Sequence, residues 1–80
     1  MLSLDIIQGE DWFGLWVDDE LTYQNHSVVN IRNIIEVVKD QTFTLRLHKA
    51  SDGLNEWLLD NGRFNNNDTV QEALNRGLDD

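Results

Sequence analysis

Apolar and polar positions alternate at the start of the chain, over residues 2–6, and this pattern predicts a β-strand. The apolar run 12–17 is rich in aromatic and branched side chains, which favours a second strand. Acidic residues at 18–20 indicate a turn, and residues 21–24 then predict the returning strand. The first third of the chain is therefore interpreted as an antiparallel meander of three strands.

The pattern leaves open the register of the hairpin between the second and third strands. A two-residue turn at 18–19 pairs Val17 with Glu20. A three-residue turn instead pairs Val17 with Leu21 and Leu15 with Tyr23, and a slip of one residue exchanges the two faces. Either register leaves apolar side chains on both sides of the second strand. That strand is then either central and covered twice, or it shows an apolar patch to solvent.

The following segments predict two helices and one further strand. Apolar positions at helical spacing predict a helix over 28–39, with Ser27 as its N-cap. Strict alternation over 41–48 predicts a strand. Residues 54–60 predict a short helix that ends near Gly62, with a β-hairpin as the alternative.

A last helix is predicted after Asp68, because Gln71 three residues on completes a capping-box pattern. The resulting order, β-β-β-α-β-α-α, predicts an α+β fold. We expect a small, mostly antiparallel sheet of about four strands, with helices packed on one face. Residues 1–80 are expected to form a single domain, because eighty residues leave no room for a second core.

Negative charge dominates the chain and is unevenly distributed. Fifteen acidic residues against six basic ones give a formal net charge of −9. Residues 1–31 carry −6 of this charge without a single lysine or arginine, and residues 32–80 carry −3. A surface of this kind repels nucleic acid and anionic membranes and attracts basic partners. Direct binding to nucleic acid or to a membrane is therefore not expected.

Sequence motifs for catalysis or cofactor binding are absent. The chain has no phosphate-binding loop, dinucleotide fingerprint, zinc-protease motif or nucleophile elbow, and it contains no cysteine. His26 and His48 are assigned solvated or structural roles, because general-base catalysis requires a positioned partner. The acids at 18–20 lack the spacing of a calcium-binding loop. We therefore expect neither an enzyme, nor a metal site, nor a cofactor.

Aromatic and acidic residues are concentrated in the same segment, 11–26, which permits two interpretations. The tryptophans can form the core, since large side chains stabilise a small domain. Alternatively, one tryptophan-bearing face is a contact surface with an acidic rim. Gly14 leaves space over the strand for a side chain, either the protein's own or a partner's. The predicted partner-binding residues are Glu10, Asp11, Trp12, Trp16, Asp18, Asp19 and Glu20.

These features favour a small acidic protein-binding module that inhibits its partner. It would dock on the basic surface of a nucleic-acid-handling protein, with carboxylates steering the encounter and a tryptophan as anchor. In size, acidity and lack of cysteine the chain resembles, as a class, the DNA mimics and the CRISPR and restriction inhibitors that phages encode. No motif assigns it to one of their families.

The alternative function is that of a self-associating structural or accessory protein. In that case an apolar sheet face would form a homodimer with a two-fold axis, and the acids would only keep the protein in solution. The chain shows neither a membrane-spanning apolar run nor a signal peptide. The expected location is the cytoplasm, which for a phage-encoded protein is that of the host cell.

Overall fold

The computed structural model describes residues 1–26 and 31–77, which form one four-stranded sheet and three helices. The strand order is β3-β2-β1-β4, in which β1 pairs antiparallel with β2, β2 antiparallel with β3, and β1 parallel with β4. This confirms the α+β fold class and the mostly antiparallel sheet. The elements are β1 (Leu2–Gln8), β2 (Phe13–Val17), β3 (Glu20–Asn25), α1 (Ile31–Val38), β4 (Phe43–Lys49), α2 (Asp52–Asn61) and α3 (Val70–Asn75).

Each face of the sheet carries its own hydrophobic core, because successive side chains of a strand point to opposite faces. On the face that we call the α1 face, β1 and β2 pack against α1 through Leu4, Ile6, Phe13, Leu15 and Val38. On the other, the α2 face, the same strands pack against α2, α3 and the segment between them through Ile7, Trp16, Leu54, Leu58, Phe64, Val70 and Ala73.

The expectation that the helices pack on one face is therefore wrong. Strands β1 and β2 are apolar on both sides, so both faces of the sheet must be covered. Helix α1 covers one face, and α2 and α3 cover the other. The start predicted for the first helix, including its cap Ser27, lies outside the described residues. Within the described ranges, no helix combines the length and the apolar character needed to cross a membrane.

The hairpin between β2 and β3 combines both predicted registers. Residues 18–19 have φ angles of 50° and 69°, as in a two-residue type I′ turn, and the strands pair directly beyond them. Thr22 then stands as an extra residue in β3, so that Leu15 pairs with Tyr23 as the three-residue turn predicts. Strand β2 lies between β1 and β3, so it is central, and both of its faces are covered.

Gly14 in the middle of β2 leaves room for two aromatic rings on the α2 face. A Cβ atom at position 14 would lie 2.5 Å from Cζ3 of Trp16 and 3.0 Å from Cδ2 of Phe64. The sequence predicts that the space over Gly14 holds a side chain of the protein itself or of a partner, and the structure shows that the protein's own side chains fill it. The rings are held too closely for a methyl group to enter without displacing them.

We expect Gly14→Ala to lower the free energy of unfolding by about 1–2 kcal/mol, because the added methyl group overpacks the core. Urea unfolding followed by circular dichroism measures the loss. Glu56→Ala, at an exposed helix position, is the control and is expected to change stability by less than about 0.5 kcal/mol. An unchanged midpoint for Gly14→Ala would contradict the packing described for Trp16.

Helix α2 has a cap at each end, which fixes where the helix begins and ends. The Ser51 hydroxyl oxygen accepts a hydrogen bond from the Leu54 N–H at 3.1 Å. At the other end Gly62 has a φ of 81°, and its N–H donates to the Leu58 carbonyl at 2.7 Å. The prediction of a helix that ends near Gly62 is confirmed, and the hairpin alternative is excluded.

Helix α3 begins one residue later than the capping pattern predicts. Thr69 is the N-cap and Glu72 completes the capping box. Asp68 is instead buried, and both of its carboxylate oxygens accept hydrogen bonds from Arg76 at 3.0 Å. The carboxylate thus joins the two ends of α3.

Candidate functional site

Six of the seven predicted contact residues are divided between the two ends of strand β2, and the seventh, Trp16, lies within the strand. Residues 10–12 lie in the loop between β1 and β2, and residues 18–20 form the turn between β2 and β3. The five-residue strand between them spans about 15 Å. The acids of this segment therefore form two separate groups.

Trp16 belongs to the core and cannot be a contact residue in this fold. Its side chain is fully buried, and its ring meets that of Phe64 edge-on with 4.9 Å between the centroids. Its indole N–H donates to the carbonyl oxygen of Asp68 at 2.9 Å. The prediction that Trp16 anchors a partner is wrong, because β2 is central and α2 and α3 cover it.

The two aspartates of the turn are used within the protein. Asp18 Oδ1 accepts the Ser3 N–H at 3.0 Å, which ties the turn to β1. Asp19 Oδ1 accepts the N–H of Val70, the first residue of α3, at 3.0 Å. Glu20 is exposed beside them. This end of β2 therefore has a structural function that needs no partner.

The loop at the other end of β2 packs beside helix α2. The N–H of Glu10 donates to Asn55 Oδ1 at 3.0 Å, and the Gly9 N–H closes the loop on the Trp12 carbonyl at 2.9 Å. Loop and helix together enclose a cavity of about 190 Å³. Its lining consists of Glu10, Asp11, Trp12, Asn55, Leu58, Leu59 and Gly62.

Helix α2 adds three carboxylates to the two of the loop. Asp52, Glu56 and Asp60 are exposed, and their spacing of four residues places them on one side of the helix. They follow one another at intervals of about 6 Å along the axis. Leu59 lies on this side as well, and its exposed fraction is 72 %. We call the group the acidic α2 surface, made of Glu10, Asp11, Trp12, Asp52, Glu56, Leu59 and Asp60.

Trp12 is half-buried at the base of the acidic α2 surface and is held in place from behind. Its indole N–H donates to Gln24 Oε1 at 2.9 Å, and its ring stacks on His26 with 6.4 Å between the centroids. Gln24 Oε1 also accepts the N–H of Phe64 at 2.9 Å. The ring that lines the cavity is therefore held in one orientation by contacts within the protein.

The carboxylates of the acidic α2 surface form no direct ion pair in the described part of the chain, although Lys49 lines a cavity together with Glu10 and Asp52. The ion pairs formed within residues 1–26 and 32–77 involve Asp5 and Asp68, and none involves these five carboxylates. Exposed charges without a partner project their field into solvent, where it acts over about one Debye length. The surface therefore combines an apolar centre with a rim of carboxylates that outnumber the one neighbouring cation described, Lys49.

A second polar cluster, which the sequence analysis missed, surrounds Asp5 on the α2 face. The parallel register places Asp5 opposite Arg46, with His48 two residues further along β4. Asp5 Oδ1 accepts from Arg46 Nε at 2.9 Å, Oδ2 accepts from Nη2 at 3.1 Å, and His48 Nε2 lies 2.8 Å from Oδ1. An acid at an inward position of a central strand is the signal that could have identified this cluster.

Hydrogen bonding sets the ionisation of the Asp5 cluster. Burial raises the pKa of the Asp5 carboxyl, but the hydrogen bonds from Arg46 and His48 outweigh burial and hold this pKa below its usual value. The bonds from Arg46 to Asp5 raise the pKa of the guanidinium in turn. Asp5 thus remains an anion, with its charge balanced inside the protein.

The geometry of the Asp5 cluster does not form a nucleophile and base. A cleft of about 350 Å³ opens over it, next to Ser3. The Ser3 hydroxyl, however, accepts a hydrogen bond from Arg46 Nη2 at 3.1 Å, and in the described part of the chain no bond joins it to His48. The described residues also contain no group of three or more acidic, histidine or cysteine side chains that could hold a metal ion.

Comparison with known proteins gives no match to a family model, to a curated protein or to a solved structure. The site is therefore interpreted from its own geometry, in which the acidic α2 surface brings five exposed carboxylates together with an exposed leucine.

Proposed function

We propose that this protein is an acidic binding module that docks on a basic surface of a partner protein through the acidic α2 surface. The observation that supports this most is the grouping of five exposed carboxylates with an exposed leucine, beside a cavity that is lined by Glu10, Asp11 and Leu59. Interfaces commonly have an apolar centre and a polar rim, and here Leu59 and Trp12 lie at the centre.

Electrostatic attraction supplies the encounter in this proposal. A chain with a net charge of −9 is drawn to a cationic target from a distance, and the carboxylates of α2 then pair with lysine or arginine side chains. The proposed anchor is Leu59 together with the edge of Trp12, in place of Trp16, which the core retains. The Asp18–Glu20 turn contributes only long-range charge.

The proposed class of partner is a nucleic-acid-handling protein. Asp52, Glu56 and Asp60 form a straight row of negative charges on a helix held rigid by caps at both ends. A groove that binds a phosphate backbone presents cationic side chains to such a row. By occupying this groove the protein would inhibit its partner, in the manner of the phage-encoded DNA mimics, in the cytoplasm of the host cell.

We expect Glu56→Lys combined with Asp60→Lys to weaken partner binding about 30-fold, roughly 2 kcal/mol, because it reverses two charges at the contact. The partner is captured from lysate on the immobilised native protein at low salt and identified, and its affinity is then measured by calorimetry. Affinity for the native protein is also expected to fall at least about tenfold between 50 and 200 mM salt.

The matched control for this test is Glu36→Lys combined with Asp40→Lys. Both residues are exposed at the α1 side, and the net charge changes by the same amount. This variant is expected to lose less than about fivefold in affinity, through long-range attraction alone. Equal losses for the two variants would overturn the assignment to the acidic α2 surface. Captured partners that do not bind nucleic acid would overturn the DNA-mimic part of the proposal.

A further inference from the structure

Strand β4 combines an open edge with an exposed apolar side. In the described part of the chain the strand order ends at β4, so no strand pairs with its outer edge. Phe43, Leu45 and Leu47 are 40 %, 47 % and 67 % exposed. All three lie on the α1 face, because their partners in β1 are Leu2, Leu4 and Ile6, respectively.

The backbone of β4 offers free hydrogen-bonding groups at these same residues. Thr42 accepts the Leu2 N–H at 3.0 Å, and Ala50 donates its N–H to Gln8 at 2.9 Å, so the even-numbered residues bond to β1. Along a parallel strand, residues that bond to one neighbour alternate with residues whose N–H and C=O point away. The N–H and C=O groups of the odd-numbered residues, Phe43 to Lys49, therefore point to the open edge.

The two edges of the sheet differ in their protection against pairing. Strand β3 at one edge begins with the acid Glu20 and contains the bulge at Thr22. Bulges, charges and prolines are the usual means by which edge strands avoid pairing with other chains. Strand β4 keeps an unbroken register with β1 over seven residues and contains no proline; of its cations, Arg46 is held by Asp5 and Lys49 is the last residue of the strand. Its edge is thus suited to accept another strand.

A second copy of this chain fits the β4 edge in both charge and geometry. Segment 43–49 contains Arg46, His48 and Lys49 and no acid, so two copies with a net charge of −9 approach here with the least repulsion. A strand can also pair antiparallel with its own copy about a two-fold axis, since the same groups then face each other. A basic partner of the acidic α2 surface would be repelled at this edge.

We propose that the protein forms a homodimer in which two β4 strands pair antiparallel, with the two-fold axis at Leu45. Leu45 then faces Leu45 of the second copy, and Phe43 faces Leu47. Arg46 faces Thr44, so no two cations are opposed. The outward backbone groups of Phe43, Leu45 and Leu47 form about six hydrogen bonds between the copies, and their side chains form one apolar strip.

This inference goes beyond the proposed function and does not rest on it. The apolar strip of β4 lies on the α1 face and α2 covers the opposite face, although the two surfaces adjoin at the end of β4, where Leu47 lines a cavity with Glu10 and Asp52. The residues that pair the two copies, Phe43, Leu45 and Leu47, do not belong to the acidic α2 surface. Either proposal can fail while the other holds.

Sedimentation equilibrium of the purified chain between about 5 and 500 µM tests the dimer. The native chain is expected to dimerise, and Leu45→Lys is expected to weaken dimerisation at least about 30-fold, because it places a charge next to its own copy. Leu59→Lys, at an exposed position of α2, is the matched control and should leave the dimer intact. A monomeric native chain at the highest concentration, or equal effects of the two variants, overturns the proposal.

A cysteine scan tests the register, and the chain contains no cysteine of its own to interfere. In the proposed register the two Leu45 Cα atoms lie about 5.5 Å apart, which is within the range that a disulfide spans. Leu45→Cys is therefore expected to cross-link under mild oxidation much faster than Leu59→Cys. A dimer whose Leu45→Cys form does not cross-link overturns the proposed register. A strand of another protein bound to β4 instead would leave the pure chain monomeric.

Discussion

Replacing Trp16 by alanine is expected to lower the free energy of unfolding by about 3–5 kcal/mol. The indole is fully buried between the sheet and the segment from Phe64 to Asp68, so its loss leaves a large cavity. The Asp68 carbonyl also loses the hydrogen bond from the indole N–H. A domain of eighty residues has a total stability of about 4–12 kcal/mol, so this one change removes much of it.

Urea unfolding followed by far-ultraviolet circular dichroism measures this loss without depending on tryptophan fluorescence. Trp16→Phe keeps a ring in the core and removes the N–H, so we expect a smaller loss of about 1–3 kcal/mol and a folded protein. Trp12→Ala is the matched control, because Trp12 is only half-buried. If Trp16→Ala and Trp12→Ala unfold at the same urea concentration, the core position assigned to Trp16 is wrong.

The second large effect is expected for Asp5→Asn, which should lower the free energy of unfolding at neutral pH by about 1.5–3 kcal/mol. The substitution replaces an anion that accepts hydrogen bonds from Arg46 and His48 by a neutral amide. Water reaches the exposed guanidinium, so the loss stays below that of a fully buried ion pair. Unfolding in urea at pH 7 measures the difference.

The effect of Asp5 on stability depends on pH in a defined direction. Burial raises the pKa of Asp5, but hydrogen bonds from Arg46 and His48 outweigh it, so the folded-state pKa lies below the unfolded value of about 3.9. As the pH falls, Asp5 is protonated first in the unfolded chain. The stabilisation that Asp5 provides therefore decreases from the unfolded-state pKa downwards and is lost as the pH falls through the folded-state pKa. Above the unfolded value the stabilisation is fully present.

We therefore expect the stability difference between the native protein and Asp5→Asn to shrink as the pH is lowered from 5 towards 2. Glu20→Gln removes an exposed carboxylate whose side chain takes no part in the Asp5 cluster, and it serves as the control. Its stability should follow that of the native protein over the same pH range. A difference for Asp5→Asn that does not change with pH would show that Asp5 acts through packing alone.

The sequence predicts the order of the elements, because that order depends on local periodicity and turn chemistry. The helix over 54–60, its end near Gly62 and the space above Gly14 are all confirmed in this way. The hairpin register depends instead on Thr22, whose extra place in β3 has no signature in the sequence. Such details are decided by packing on both faces at once.

Which of the two tryptophans, Trp12 or Trp16, is fully buried could not be predicted from the sequence. Strand parity places both on one side of β2, but which ring is sealed depends on α2, α3 and the segment between them. The hydrogen bond from Trp16 to Asp68 joins residues that are far apart in sequence, and no local pattern predicts it. For the same reason the capping pattern at Asp68 was misleading, since the buried carboxylate pairs with Arg76.

Nearness in sequence was a poor guide to the acidic surface. Asp11 and Asp18 are close in the chain but lie at opposite ends of β2, whereas Asp11 lies beside α2 because the loop bonds to Asn55. The spacing of Asp52, Glu56 and Asp60 was visible in the sequence and predicts a shared side of the helix. The position of this side of the helix next to the loop depends on tertiary structure.

The parallel pairing of β1 with β4 has a consequence for the order of folding. Strand β1 meets β2 through a short loop, but Leu2 pairs with Phe43, and the chain between them must first cross the sheet from β3. Contacts between distant residues form later than local ones. During synthesis the meander is therefore expected to form while the side of β1 that later pairs with β4 is still open. The nascent chain is most exposed to aggregation during this interval, and the interval ends only when residue 49 has left the ribosome.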